Sequence, residues 1–184
     1  MKRSFDLVIS LIAVICLLPI IILVSILIKF SSNGGVVFYQ TRVGLNGKVF
    51  NIYKFRTMVV NAEQLGSYYT EHNDTRITRI GSYLRKTSID ELPQLINVIK
   101  GDMSLVGPRP NLPRQKAEYL NSDWNKRNSV KPGITGLAQA LSRSSATPEE
   151  RLSQDLKYIG ARSFMYDLWI IILTIRQIFL KGGN

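Results

Sequence analysis

The opening stretch MKRSFDLVISLIAVICLLPIIILVSILIKF carries no charged residue between positions 7 and 28. An uncharged apolar run of that length matches the roughly 20 residues needed to cross the core of a bilayer. A secretory signal has a shorter apolar region followed by a small-residue cleavage site, whereas this run ends in ILIKFSSNGG. The pattern therefore predicts a retained membrane segment rather than a signal or a buried core helix. Pro19 stands near the centre of the run, where it removes one helical hydrogen bond and crowds the preceding turn, so a kink is expected. Lys2 and Arg3 flank one end and Lys29 the other. Positive charge on both flanks gives the positive-inside rule no direction to choose. A kinked span and a helix broken at Pro19 that enters and leaves by the same face both satisfy the pattern.

Beyond SSNGG, two β-rich runs surround GLNG and predict a β-hairpin over about 36–42 and 48–58. In the second run Phe50, Ile52, Lys54 and Arg56 fall on one face at period two. Residues 61–75 are polar, a loop or short helix. Leu92, Leu95, Ile96 and Ile99 recur at helical spacing before Gly101. GDMSLVGPRP reads as irregular and proline-stiffened, NLPRQKAEYLNSDWNKRNSVK as a basic helix closed by Pro132, and PGITGLAQ as a turn-rich loop. TPEERLSQDLKYIGA predicts a helix capped by Thr147 with Pro148 in its first position. The final SFMYDLWIIILTIRQIFLK is short and interrupted by Arg176 and Lys181. With Phe164, Tyr166 and Trp169 at its start it fits an interfacial helix, with a plain buried terminal helix as the alternative.

Charge changes this picture. The chain has 184 residues with 24 Lys+Arg against 13 Asp+Glu, a net +11. That length gives one domain with a real core. The excess points to a negatively charged partner: phosphates, nucleic acid or an anionic membrane face. Cys16 is the single cysteine and His72 the single histidine, which excludes an internal disulfide framework and makes a Cys/His zinc site untenable.

Two stretches hold candidate chemistry. In RKTSIDELPQL, Ser88 followed by Glu91 has the spacing of a capping box, with regular helix beginning near Glu91 or Leu92 because Pro93 would otherwise sit too deep. Asp90 and Glu91 then lie at a helix N-terminus, whose partial positive charge favours ionised carboxylates. An ionised Asp among many basic residues suits a nucleophile or a Mg²⁺ ligand rather than a general acid. In GPRP, Arg109 lies between two prolines. The residue before a proline is held extended, which presents a guanidinium with little ordering entropy left to lose for bidentate phosphate binding. Lys54, Arg56, Arg85, Lys86 and Arg143 are further cations. Brought together they would make a polyphosphate site beside two carboxylates.

The ordered set YKFRTM, RITRIG, LRKTSIDELPQLINVIKGDMSLVGPRP and VKPGITGLAQ resembles the bacterial sugar transferases, the monotopic polyprenyl-phosphate phosphoglycosyltransferases. It covers nearly the whole chain, which reads as the minimal catalytic-domain form. The resemblance implies an α+β, mostly helical fold. Its parts would be an N-terminal re-entrant membrane helix broken at Pro19, a small β-hairpin and amphipathic interfacial helices, with the catalytic part after residue 30 on the cytoplasmic face of the bacterial inner membrane. It implies transfer of a sugar-1-phosphate from a UDP-sugar to undecaprenyl (polyprenyl) phosphate in a Mg²⁺-dependent ping-pong exchange, a first membrane step of glycoconjugate or exopolysaccharide synthesis. Asp90 would be the nucleophile that becomes a covalent phosphosugar adduct as UMP leaves. Glu91 would assist, both carboxylates being candidate metal ligands. Lys54, Arg56, Arg85 and Arg109 would bind phosphate, with Gln139, Arg143 and Asp155 near the nucleotide-sugar pocket. Two positions depart from the usual pattern: Leu18 stands before Pro19 where Ser is common, and ALSRSS follows Gln139 in place of VNGRN.

Two rivals remain at the level of sequence: a membrane glycosyltransferase that releases UDP, and a non-catalytic basic lipid-binding protein. The basic residues lie beside Gly/Pro loops and an acidic pair with no stacking motif, which argues against nucleic acid as partner. The expected partners are a UDP-sugar, polyprenyl phosphate and phospholipid, and the question of a homodimer stays open.

Overall fold

The computed structural model describes residues 1–31, 33–62, 64–66, 74–142 and 146–181, the last three by backbone alone. Its elements are helix α1 (Lys2–Ser31), strands β1 (Val37–Val43) and β2 (Val49–Phe55), helices α2 (Arg79–Lys86) and α3 (Gln94–Lys100), and strand β3 (Ser104–Val106). Helix α4 (Asn121–Arg127), strand β4 (Gly133–Thr135) and helices α5 (Leu137–Ser142), α6 (Pro148–Ala161) and α7 (Phe164–Lys181) complete it. The fold is α+β and mostly helical.

Helix α1 contains Pro19, and the helical assignment continues through it. A proline withdraws one hydrogen bond but leaves the turns on either side intact, and the Leu and Ile flanking it propagate helix. The predicted break is therefore not an interruption of the element. The burial of α1 is informative. Asp6 and Ser10 are buried near one end, Val24 and Ile28 near the other, and nothing between 11 and 23 is buried. The first end docks through polar groups. The Lys2 ammonium donates to Asp167 Oδ2 at 2.6 Å and to the Val106 carbonyl at 3.2 Å. Arg3 donates to the carbonyls of Val98 and Ile99 in the last turn of α3, where the helix dipole gathers negative charge. Ser104 Oγ donates to Asp6 Oδ2 at 2.7 Å. The second end docks through apolar contact, with Val24 and Ile28 packed with Phe55 of β2 and Leu84 of α2. Both ends of one apolar helix thus rest on the same body, and the middle is exposed or at most half-buried.

The hairpin forms where it is predicted, with the first strand shifted by one residue and the second ending three residues early: Val37 pairs with Phe55 and Val43 with Val49. Its turn needs left-handed backbone at Asn46 (φ 54°) and Gly47 (φ 79°), conformations these two residue types accept. The inner edge of β2 is covered by α3, whose Asn97 accepts from the Tyr53 amide and donates to the Asn51 carbonyl.

Three regions differ from expectation. GDMSLVGPRP and PGITGLAQ are not both irregular: β3 and β4 pair in parallel, Ser104 with Gly133 and Val106 with Thr135, and LAQ opens α5. Glycine is required where the strand following each meets the other: a Cβ on Gly133 would lie 2.1 Å from the Gly107 nitrogen. The single basic helix expected before Pro132 is a 3₁₀ segment (Pro113–Glu118) followed by the short α4. Ser88 does not cap a helix. It adopts left-handed φ 57°, makes no capping bond, and leads into a 3₁₀ turn (Ile89–Glu91); regular helix begins only after Pro93, where the missing N–H does no harm. The helix at Pro148 is capped as predicted, with Thr147 and Glu150 closing a capping box. Helix α7 satisfies parts of both alternatives. Asp167 and Ile170 are buried on one face, while Phe164, Met165, Trp169, Ile172 and Ile175 are exposed on the other.

Helix α2 lies against the end of the hairpin at Gly81, where a Cβ would meet the Thr57 carbonyl oxygen at 2.0 Å. Helix propensity alone makes Gly→Ala favourable by about 1 kcal/mol, so the two effects oppose. The clash is with backbone, which cannot rotate away. Gly81→Ala is expected to destabilise by about 1–3 kcal/mol, measured as a lowered melting temperature or urea midpoint.

Candidate functional site

The turn 88–93 has to reverse the chain between α2 and α3 within a few residues, and left-handed Ser88 does this. A non-glycine residue there costs about 1 kcal/mol. The turn projects Asp90 and Glu91 toward β2 on one side and the GPRP segment on the other. A single carboxylate oxygen, Glu91 Oε1, accepts from Lys54 Nζ at 2.7 Å and from Arg109 Nη2 at 2.8 Å. Lys54 reaches it from the face of β2 that also carries buried Ile52. Arg85, on the last turn of α2, donates through Nε to Thr57 Oγ1 at 3.0 Å.

Lys54, Arg56, Arg85, Asp90, Glu91, Arg109 and Gln139 all line one cleft of about 1740 Å³, which Ala13 and Leu17 of α1 also border. That exceeds the few hundred to about 1,000 Å³ usual for one small ligand. Arg56 sits at its rim with its guanidinium over Gly34. The Gln139 amide has both polar atoms buried and without a partner among the described residues, so a polar group entering the cleft would be received there. Asp155 is not part of the lining. It is 2% exposed and binds Arg127 Nε at 2.8 Å, and it acts at one remove from the cleft. Arg143 lies outside the described residues.

The two carboxylates differ. Burial would raise Glu91, but the Arg109 and Lys54 charges outweigh it and hold Glu91 well below the usual carboxylate range. Asp90 is 8% exposed. Its burial, opposed chiefly by Lys54 and reinforced by the Glu91 charge, raises it from 3.8 to about 6. The expectation that a helix N-terminus favours the ionised form of Asp90 thus meets an opposing effect, burial, which raises its pKa. A one-turn 3₁₀ segment offers little dipole, and Glu91 already holds the two nearest cations. Asp90 is ionised at neutral pH with a narrow margin. Burial lowers Lys54, against the raising effect of Glu91, while Glu91 raises Arg109.

Residues that spacing did not single out also shape the site. Thr57 anchors Arg85. Arg127 is buried, and its signal was present: Trp124 and Arg127 stand three apart on one helix face, the face that is buried. Arg42 shares the half-buried face of β1 with Gln40, as period two would indicate.

The cleft thus joins an acidic pair to a set of cations, beside a long apolar helix with no buried residue between 11 and 23. The chain belongs to the bacterial sugar transferase family, whose model matches residues 1–181. Among its relatives are the undecaprenyl-phosphate glucose phosphotransferase of Komagataeibacter xylinus, 44% identical over 99% of this chain and 36% of that protein. The UDP-glucose:undecaprenyl-phosphate glucose-1-phosphate transferase of Escherichia coli K12 is 38% identical over 98% of this chain and 40% of its own length. This chain therefore spans well under half of those two. The exopolysaccharide production protein PSS of Rhizobium leguminosarum bv. phaseoli is 41% identical, with 99% and 96% covered.

Ionising Asp90 penalises the fold, because its folded pKa lies above its unfolded value. The penalty is absent below about pH 4, grows as pH rises, and is complete above about pH 6. Asp90→Asn is therefore expected to stabilise the protein at pH 7.5 by about 1–3 kcal/mol, an advantage that disappears near pH 4. Thermal melts at the two pH values test this, and an Asn variant less stable at pH 7.5 contradicts it.

Proposed function

We propose that the protein transfers a sugar-1-phosphate from a UDP-sugar to polyprenyl phosphate. The observation that carries the reading is the buried Asp90 beside a Glu91 bridged by Lys54 and Arg109, within a cleft bordered by α1. Asp90 Oδ attacks the phosphorus that bears the sugar. The phosphoanhydride bond breaks, UMP leaves with the bonding electrons, and a phosphosugar–Asp90 acyl phosphate remains. A polyprenyl phosphate oxygen then attacks the same phosphorus, which restores the carboxylate and forms the lipid diphosphosugar. Phosphoryl transfer depends mainly on positioning and charge stabilisation. Arg109, Lys54, Arg85 and Arg56 supply cations to the diphosphate, and Gln139 supplies an unpaired amide to the donor.

The residues present fit Mg²⁺. Among the described residues no group of three His, Cys, Asp or Glu forms a cage, and Mg²⁺ is usually held by one or two carboxylates together with substrate phosphates. Asp90 and Glu91 would hold it, and when bound it neutralises charge building on the diphosphate. Docking of both ends of α1 on one body supports a re-entrant course. The cleft would then lie on the cytoplasmic face of the bacterial inner membrane, where the bare middle of α1 meets lipid.

Full chain in lipid nanodiscs, supplied with polyprenyl phosphate, Mg²⁺ and a panel of UDP-sugars, should release UMP. Asp90→Asn should abolish both UMP release and the covalent adduct seen by intact-protein mass spectrometry. Release of UDP, or an Asn variant at full rate, overturns the reading. UMP formation should also fall about tenfold per pH unit below about pH 6, as Asp90 protonates. Lys54→Met, which removes the main influence holding that pKa down, should move this limb to higher pH.

A further inference from the structure

Segment 108–111, PRPN, contains two prolines and so has few N–H groups with which to hold itself in place. It is held through its carbonyls. The Pro108 carbonyl accepts from the Gly133 amide of β4 at 3.0 Å, and the Asn111 carbonyl from the Val43 amide of β1 at 2.9 Å. Between them, the Arg109 carbonyl accepts from Arg127 Nη2 at 2.5 Å and the Pro110 carbonyl from Arg42 Nη1 at 2.9 Å. Four successive carbonyls are thus gripped by three separate elements, and the two central grips are guanidiniums.

The Arg127 grip is itself braced. Its Nε donates to Asp155 Oδ2 at 2.8 Å, and both side chains are 2% exposed. Its guanidinium carbon lies 5.9 Å from the centre of the Tyr119 ring. A buried ion pair adds little net stability compared with apolar packing of the same volume. It does fix the direction of a planar donor. Arg42 is oriented in a similar way by two bonds to Gln40 Oε1.

We propose that Arg127, braced by Asp155, and Arg42 are positioning residues that set where the Arg109 guanidinium stands in the cleft by fixing the carbonyls of Arg109 and Pro110. The inference rests on Arg109 serving as a ligand of the donor diphosphate. A charged ligand displaced by about 1 Å loses much of its benefit, so the effect is read in donor binding.

Removing Arg127 alone would strand the Asp155 charge, so the variant to use is Arg127→Met with Asp155→Leu, which removes both charges at similar volume. Arg42→Gln, at a half-buried site, is the second variant and decides alone if the first does not fold. UDP binding is measured by calorimetry on the full chain in nanodiscs with Mg²⁺, with and without Arg109→Ala. The expected result is an approximately tenfold weaker Kd for the Arg127/Asp155 variant and several-fold for Arg42→Gln. Each loss should shrink to under about twofold in the Arg109→Ala background, because residues acting through one group do not add. A purely structural role would weaken binding by the same factor in both backgrounds, and that result overturns the proposal, as does unchanged affinity in the single background. Wild-type affinity in Arg109→Ala overturns the diphosphate reading of Arg109 and leaves the clamp nothing to position, an outcome distinct from simple additivity.

Discussion

One carboxylate oxygen, Glu91 Oε1, joins three parts of the chain far apart in sequence. Lys54 comes from the hairpin, Arg109 from the proline segment, and Glu91 from the turn between α2 and α3. With Glu91 17% exposed at its side chain and Lys54 16%, the Lys54 arm of the bridge is sheltered from water, where a charge-assisted bond is worth more than on the surface, while the Arg109 arm, 40% exposed, opens to the cleft. It also keeps two cations close together that would otherwise repel. Asp90 lies next to this arrangement, and its burial, opposed chiefly by Lys54 and reinforced by the Glu91 charge, raises its pKa. The two neighbouring carboxylates are thus distinguished by which one the Lys54 and Arg109 cations bond.

The body that supports this site is held to α1 by two unlike attachments. At the start of α1 a polar cluster joins Lys2, Asp167, Tyr158 and the Val106 carbonyl, with Tyr158 donating to Asp167 at 2.8 Å. Burial and the Asp167 charge push the Tyr158 hydroxyl up, so it remains a donor. At the other end the attachment is apolar. Polar bonds fix direction and register, and apolar packing tolerates small displacements. The first end therefore sets the geometry. Because β3 leads directly into the proline segment, the polar cluster at Val106 and the clamp on Arg109 lie only a few residues apart.

Much of this was legible in sequence, for identifiable reasons. The hairpin announced itself by alternation and by Asn46–Gly47; the Thr147 cap and α6 by a capping box with Pro148 in first position. The set Lys54, Arg85, Asp90, Glu91, Arg109 and Gln139 does converge on one cleft, a fact spacing could not deliver because it depends on the β3–β4 pairing. That pairing was hidden: each strand has three residues, and each carries or adjoins glycines that locally read as turn. Ser88 misled because the capping-box pattern is a statement about residue types, while its left-handed backbone is imposed by the reversal between two helices. Asp155 is singled out by motif as near the pocket, and the fold sets it behind the lining, on Arg127. Burial turns it toward Arg127, and only the fold shows which cation an acidic residue faces. Lys2 and Arg3, read as flanking charge for a membrane helix, also bond Asp167 and the carbonyls of Val106, Val98 and Ile99 while remaining exposed.

The fastening of α1 at both ends also has a geometric result. Its uncovered stretch between 11 and 23 cannot swing independently of the body, and Ala13 and Leu17 within it border the cleft. The separation between that stretch and Asp90 is a fixed dimension of the molecule. Whatever apolar layer receives the stretch, Asp90 stands at one set height above it.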